Sequence, residues 1–286
     1  MGALVKAEFR KIFSTNLWWG LLIPTVLLGF GWSWLFSKLG STITEGIRNA
    51  PELRGIDAEM FLFSVFGFAR ATNLSTIFPM ILGAMALASE IGQKTITTTY
   101  LTAPTRGAVL VAKTITYSLV GLGYGLVVAL MASLGTMVGA GDAPLPEGGG
   151  WALLFLTAIL ETLLWTLFGV GVGALLGNVI GSVLLLLFYT LLVENVVVLS
   201  INPGISGFLP NGSASGMPGA VAADLFMEKL DSLVPSQYVE DVQEVVRAAA
   251  GAPGAFDWWL STLIFLVYTV AFLALGWLAS LKRDIT

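Results

Sequence analysis

The chain of 286 residues contains no cysteine and no histidine. Without cysteine there is no disulfide framework and no thiol chemistry. Without histidine, the commonest metal ligand and the usual general base at neutral pH are both missing. Charge is scarce as well: 11% of residues are charged and 56% are hydrophobic, whereas a soluble domain carries about 25% charged residues. Most of the surface must therefore face something other than water. Apolar segments without paired carboxylates, histidine or cysteine offer little for catalysis, so an intramembrane enzyme is the reading least supported. No catalytic residue, metal site or resident cofactor is expected on this chain.

Long apolar runs are what the sequence has instead. The first extends without charge from Ile12 to Ser37, 26 residues, too long for the apolar region of a signal peptide and long enough to span a membrane. Six spans are expected, near 17–36, 71–89, 110–138, 151–176, 179–199 and 258–281. Trp18, Trp19, Trp32 and Trp34 flank the first of them, as suits side chains favoured at the headgroup level. The stretch Gly148–Ile201 is 54 residues with only Glu161 and Glu194 charged, more than twice a bilayer's thickness if it were one helix. It must fold back, and Gly173, Gly177, Asn178 and Gly181 mark the turn.

The fold class is accordingly all-α, a polytopic membrane protein with six transmembrane helices and an N-terminal interfacial helix. Residues 2–15 carry that helix: Val5, Phe9, Ile12 and Phe13 share an apolar face, and Lys6 and Arg10 lie on another. Lying flat, it would let its cations meet anionic lipid. Lysine and arginine are dense and acids few on the side holding the N-terminus, the loop near 90–113 and the C-terminus. That bias places both termini in the cytoplasm of a cell membrane. The segment 201–257 is then an external loop with short helices. One is expected near Pro218–Leu230 and another beginning at Ser236, a candidate N-cap, with Val239, Val242, Val245 and Val246 on one face. Residues 60–69 are apolar but too short to span. They either extend the second helix outward or dip into the membrane.

The segment Glu90–Lys113, EIGQKTITTTYLTAPTRGAVLVAK, carries the most functional information. It is a short polar link between two spans on the basic side, broken by Pro104 and crowded with β-branched threonine. Such a compact element suits docking to another protein. It resembles the link between the second and third helices in membrane subunits of type 2 ABC transporters, the permease class of many bacterial exporters. The matching positions are Glu90, Thr95, Ile96, Pro104, Arg106 and Lys113. Lys94 stands where glycine is usual. The resemblance extends to the basic amphipathic start, the six-span layout and the long outer loop.

That resemblance implies a permease working as a homo- or heterodimer with two ATPase subunits. Residues 90–107 would be the coupling element, with Glu90, Lys94, Thr95, Ile96, Pro104, Arg106 and Lys113 linking to the ATPase. ATP and magnesium would be bound by that partner, since no G-x-x-x-x-G-K-[ST] run occurs here. Membrane lipid is a further expected partner and nucleic acid is not. The cargo would be a hydrophobic or amphipathic compound: drug, antibiotic, peptide or lipid. Asn73, Phe78, Met85, Glu161, Glu194 and Asn195 are candidates for its path. An intramembrane carboxylate costs about 2.5–3.5 kcal/mol on insertion scales. Glu161 and Glu194 therefore face protein or water, either on a path suited to a cationic amphiphile or hydrogen-bonded to a neighbouring helix. Two other readings stay open: a secondary transporter with Glu161 or Glu194 carrying a proton, and a membrane scaffold that transports nothing.

Overall fold

The computed structural model describes residues 1–50, 57–102, 105–200, 202–230 and 234–282. Among them there is no strand. Six helical stretches are long and apolar enough to cross a membrane: Leu17–Asn49, Ser64–Gly92, Arg106–Ala140, Gly148–Leu176, Val179–Val198 and Trp258–Lys282. The chain is an all-α polytopic membrane protein.

Helix α1 (Gly2–Phe13) precedes the first span, α2 (Leu17–Asn49). The second span is α3 (Ser64–Ser75) followed by α4 (Ile77–Gly92), and a short α5 (Ile96–Thr102) leads to the third, α6 (Arg106–Ala140). The fourth and fifth form the hairpin that the glycines announced. α7 (Gly148–Leu176) ends on Gly177 in the left-handed conformation, φ 66°, where glycine meets no Cβ penalty. The Asn178 side chain then accepts the Gly181 N–H at 3.3 Å and starts α8 (Val179–Phe188). A π-helical turn, Tyr189–Val193, joins α8 to α9 (Glu194–Ser200). After it come α10 (Pro210–Leu230), α11 (Val239–Ala249) and the last span, α12 (Trp258–Lys282).

The second span takes in 64–69 and so extends outward, and three further boundaries differ from the sequence reading for a physical reason. α2 continues thirteen residues past position 36, to Asn49. Its buried stripe Ser33, Ser37, Gly40, Ser41 and Thr44 stays packed while Lys38 points outward, so one charge does not end it. The Ser37 hydroxyl donates to the Ser64 carbonyl, tying α2 to α3. α10 begins at Pro210, eight residues ahead of Pro218, which lies inside it. Its first turns read as loop because they are small and polar, yet that smallness lets nearly the whole helix be buried against α3, α7 and α12. α11 starts at Val239 with Tyr238 at its N-cap; Ser236 instead opens a 3-10 turn closed by Tyr238 N–H to the Pro235 carbonyl.

Small residues set the helix spacing. A Cβ placed on Gly83 of α4 would overlap the Thr166 carbonyl of α7, and one on Gly169 or Gly173 would overlap Met80 or Ala84. Backbone thus packs on backbone between these two helices, as small residues permit in membrane bundles. Gly135 and Gly139 of α6 meet α2 in the same way. Large side chains fill what remains: Trp165, Phe168, Phe265 and Phe272 interlock between α7 and α12. Phe61, Phe63 and Phe66 close on Phe226 of α10.

Candidate functional site

Two regions bring polar groups together, one at each end of the bundle. At the basic end, Lys113 of α6 is almost completely buried, its side chain 1% exposed. Its ammonium donates to Glu8 Oε2 at 2.6 Å, to Glu90 Oε1 at 2.7 Å and to the Ala86 carbonyl at 3.3 Å. Lys11 closes the arrangement from the solvent side, reaching Glu8 Oε1 at 2.8 Å and Glu90 Oε1 at 2.9 Å. Two cations and two carboxylates thus alternate and join α1, α4 and α6. Lys11 also lies 3.5 Å from the Thr99 hydroxyl of α5. Each charge desolvated here keeps an opposite charge in hydrogen-bonding range, without which its burial would be very costly.

Lys11 lies outside the spans. Burial works against its charged form, but hydrogen bonds and charge from Glu8 and Glu90 outweigh burial and hold the ammonium above its usual 10.5. A cavity of about 430 Å³ beside the network is lined by Glu8, Met85, Glu90, Thr95, Lys113 and Tyr117 among others.

The segment expected to couple to a partner is a turn plus one short helix. Lys94 has φ 58°, the positive-φ non-glycine position among the described residues; a left-handed residue at this point is what glycine supplies without strain. Thr95 is exposed, and its hydroxyl reaches back to the Glu90 carbonyl at 3.4 Å. Ile96 is buried in a cluster with Ile12, Leu82, Leu110 and Tyr117 and anchors α5. Arg106 donates to the Leu281 carbonyl at 3.1 Å, at the end of α12, and stands 5.4 Å over the Tyr100 ring. Pro104 lies outside the described residues. Leu101, on α5, is 81% exposed, the largest value among the exposed bulky apolar side chains.

Sequence reasoning placed Glu90 and Lys113 on this element but gave them no intramolecular partners. Glu8 carried the missing signal. It sits between Val5, Phe9 and Ile12 on the apolar stripe of α1, and an acid on a buried stripe demands a cation. Leu101 gave no signal beyond being apolar in a polar link.

Toward the opposite, acidic end, Glu161 at the middle of α7 is fully buried. The Asn73 amide nitrogen, oriented to satisfy both groups, lies 3.1 and 3.2 Å from its oxygens, and Trp165 also hydrogen-bonds to it. Glu194 accepts the backbone N–H of Asn211 at 2.9 Å and of Gly212 at 2.5 Å, and Tyr189 hydrogen-bonds to it as well. It is therefore an N-cap lent to α10 by another helix, satisfying amides that the start of any helix leaves unpaired. Asn195 donates to the Thr190 and Leu191 carbonyls of the π turn.

The candidate path residues do not share one cavity. Asn73 and Asn195 line a pocket of about 260 Å³ at the acidic end, and Met85 lines the cavity at the basic end. Glu161 and Glu194 sit behind protein partners, and half-buried Phe78 belongs to neither cavity. The chain matches no protein-family model, and none of the curated proteins matches it.

Proposed function

We propose that the chain is the membrane subunit of an ATP-driven exporter of the type 2 ABC class, working as a dimer with two ATPase subunits. The basic end faces the cytoplasm of a cell membrane in this reading, and the cargo is a hydrophobic or amphipathic compound. The observation that carries the reading is the setting of α5. It is a seven-residue helix between the second and third spans, anchored inward by Ile96, with Leu101 thrust outward at 81% exposure. An exposed apolar side chain on a held helix is a fitting knob for a cleft in a partner.

Force arriving at α5 has a short way into the bundle. Glu90 lies just before α5, and its carboxylate meets Lys113 on α6 and Lys11 on α1. Arg106 carries the same movement to the end of α12. A push on the coupling element thus bears on the interfacial helix and on three spans together. ATP and magnesium belong to the partner in this scheme, and the chain supplies no catalytic group.

The test is purification from the native host in mild detergent. Recovery of a soluble ATPase, lost on Leu101→Glu while the variant keeps the wild-type unfolding temperature, supports the proposal. ATP hydrolysis by the recovered complex should rise with an amphipathic substrate. Recovery of the chain alone, or of a partner indifferent to Leu101→Glu and to Glu90→Arg, overturns it.

A further inference from the structure

The pocket at the acidic end is built around a guanidinium. Arg70 of α3 donates through Nε to the Ala249 carbonyl at 3.0 Å and through Nη2 to the Ala248 carbonyl at 2.7 Å, so it also holds the end of α11. Gly251, with φ 89°, passes so close that an added Cβ would stand 2.9 Å from Arg70 Cδ and 3.2 Å from the Asn73 side-chain amide. Arg70 and Asn73 are thereby held side by side in the wall. Among the described residues, Arg70 belongs to no ion pair.

The two buried carboxylates of the neighbouring spans are held by protein partners, and the acids of α10 and α11 (Asp224, Glu228, Glu240, Asp241 and Glu244) are exposed and lie outside the lining. Glu161 is engaged by Asn73 and Trp165, and Glu194 by the amides that open α10 and by Tyr189. Neither carboxylate lines the pocket, and Arg70 is the one charged side chain among its lining residues. A guanidinium retains N–H groups on Nη1 when Nε and Nη2 are used, and a half-buried cation without a counter-charge favours an anion that can reach it.

The remaining lining has two characters. Trp32, Phe36, Ile77 and Trp165 give apolar and aromatic walls, and Asn195 and Asn211 give amides. One side is the π turn Tyr189–Val193, through Thr190 and Leu191. Insertions of this kind are frequently found at functional sites. Apolar walls with a few convergent polar groups are what small-molecule sites are made of.

We propose that this pocket binds an anionic amphiphile, a molecule with a carboxylate or phosphate head against Arg70 and an apolar body along Trp32, Phe36 and Trp165. The carboxylates that first suggested a cationic ligand lie outside the lining, where Arg70 stands instead, and this reverses the expected charge. The same chemistry could come from a membrane lipid head group or from a soluble amphiphile. Binding does not depend on the exporter reading; only the ligand's status as cargo rests on it.

The experiment titrates the purified chain with octyl phosphate, octanoate and octyltrimethylammonium, using calorimetry in a non-ionic detergent. The two anions should bind and the cation should not. Arg70→Gln should weaken anion binding by about tenfold or more, the scale of one charged hydrogen bond. Because Arg70 also holds α11, Asn195→Trp serves as the second variant. It narrows the pocket from an exposed position and leaves the Ala248 and Ala249 contacts in place, and it too should weaken binding.

Equal binding of the cation and the anions, or anion binding unchanged in Asn195→Trp, overturns the proposal. Competition by phosphatidylglycerol, but not phosphatidylcholine, in nanodiscs would assign the head group to lipid. Octyl phosphate binding that withstands phosphatidylglycerol would support a soluble amphiphile.

Discussion

Lys113 ends between two carboxylates and a carbonyl, with almost no contact with water. Removing such a charge strands its partners. Lys113→Met should destabilise the protein by about 3–5 kcal/mol, because Glu8 and Glu90 would keep buried charge with only Lys11 nearby. Adding Glu8→Gln and Glu90→Gln should recover most of the loss, a non-additivity expected of groups acting as one unit. Thermal unfolding in detergent of the wild type, Lys113→Met, the Glu8→Gln/Glu90→Gln pair and the triple variant measures both numbers. Lys11 adds a pH dependence whose sign follows from its raised ammonium. A lysine whose folded value lies above the unfolded 10.5 contributes fully below that pH and loses its contribution as pH climbs through the folded value. The unfolding temperature should therefore fall on moving from neutral pH to above 10.5, and Lys11→Met should show a smaller fall over the same interval.

Between elements, glycine spacing makes a sharp comparison. Gly83 faces the Thr166 carbonyl of α7 with no room for a methyl group, whereas Gly123 in α6 has nothing within 4 Å of the position a Cβ would take. Gly83→Ala should cost about 1–3 kcal/mol through forced separation of α4 and α7. Gly123→Ala should be neutral or stabilising by up to about 1 kcal/mol, the helix-propensity gain. Denaturant unfolding of the two variants checks the pair. The spans and the α7–α8 hairpin were legible because hydropathy and the Gly177–Asn178 turn are local properties. α10 was only half legible. Its small residues read as a loop, and the carboxylate that caps it, Glu194, lies sixteen residues earlier on another helix. The ion network was signalled only by Glu8 on the apolar stripe of α1, and its partners were hidden for a similar reason. Its members lie as far apart as Glu8 and Lys113, and only folding brings α1 to the start of α6. The segment expected to couple to a partner shows the converse: Lys94 stands where the family resemblance leads one to expect glycine, and its φ of 58° keeps the backbone that glycine would adopt.

At the scale of the whole molecule, the two ends differ in chemistry. One gathers Lys11, Lys113, Arg106 and the exposed Leu101, and the other holds α10, α11 and the Arg70 pocket. Export by a soluble motor requires the first end to face the cytoplasm, since ATP is there and α5 must be reached. The absence of native cysteine makes this directly measurable, because an introduced thiol is then the chain's only site of thiol labelling. Leu101→Cys and Val245→Cys place that thiol on opposite ends, at positions 81% and 68% exposed. In intact cells, a membrane-impermeant maleimide should modify Val245→Cys and spare Leu101→Cys; after permeabilisation both should react. Neither substitution touches a buried contact, so protein abundance should match the wild type. The reverse labelling pattern would put α5 outside the cell, away from any ATP-hydrolysing partner, and the exporter reading would fail with it. The Arg70 pocket would survive that outcome, with its anionic ligand then arriving from the cytoplasmic face.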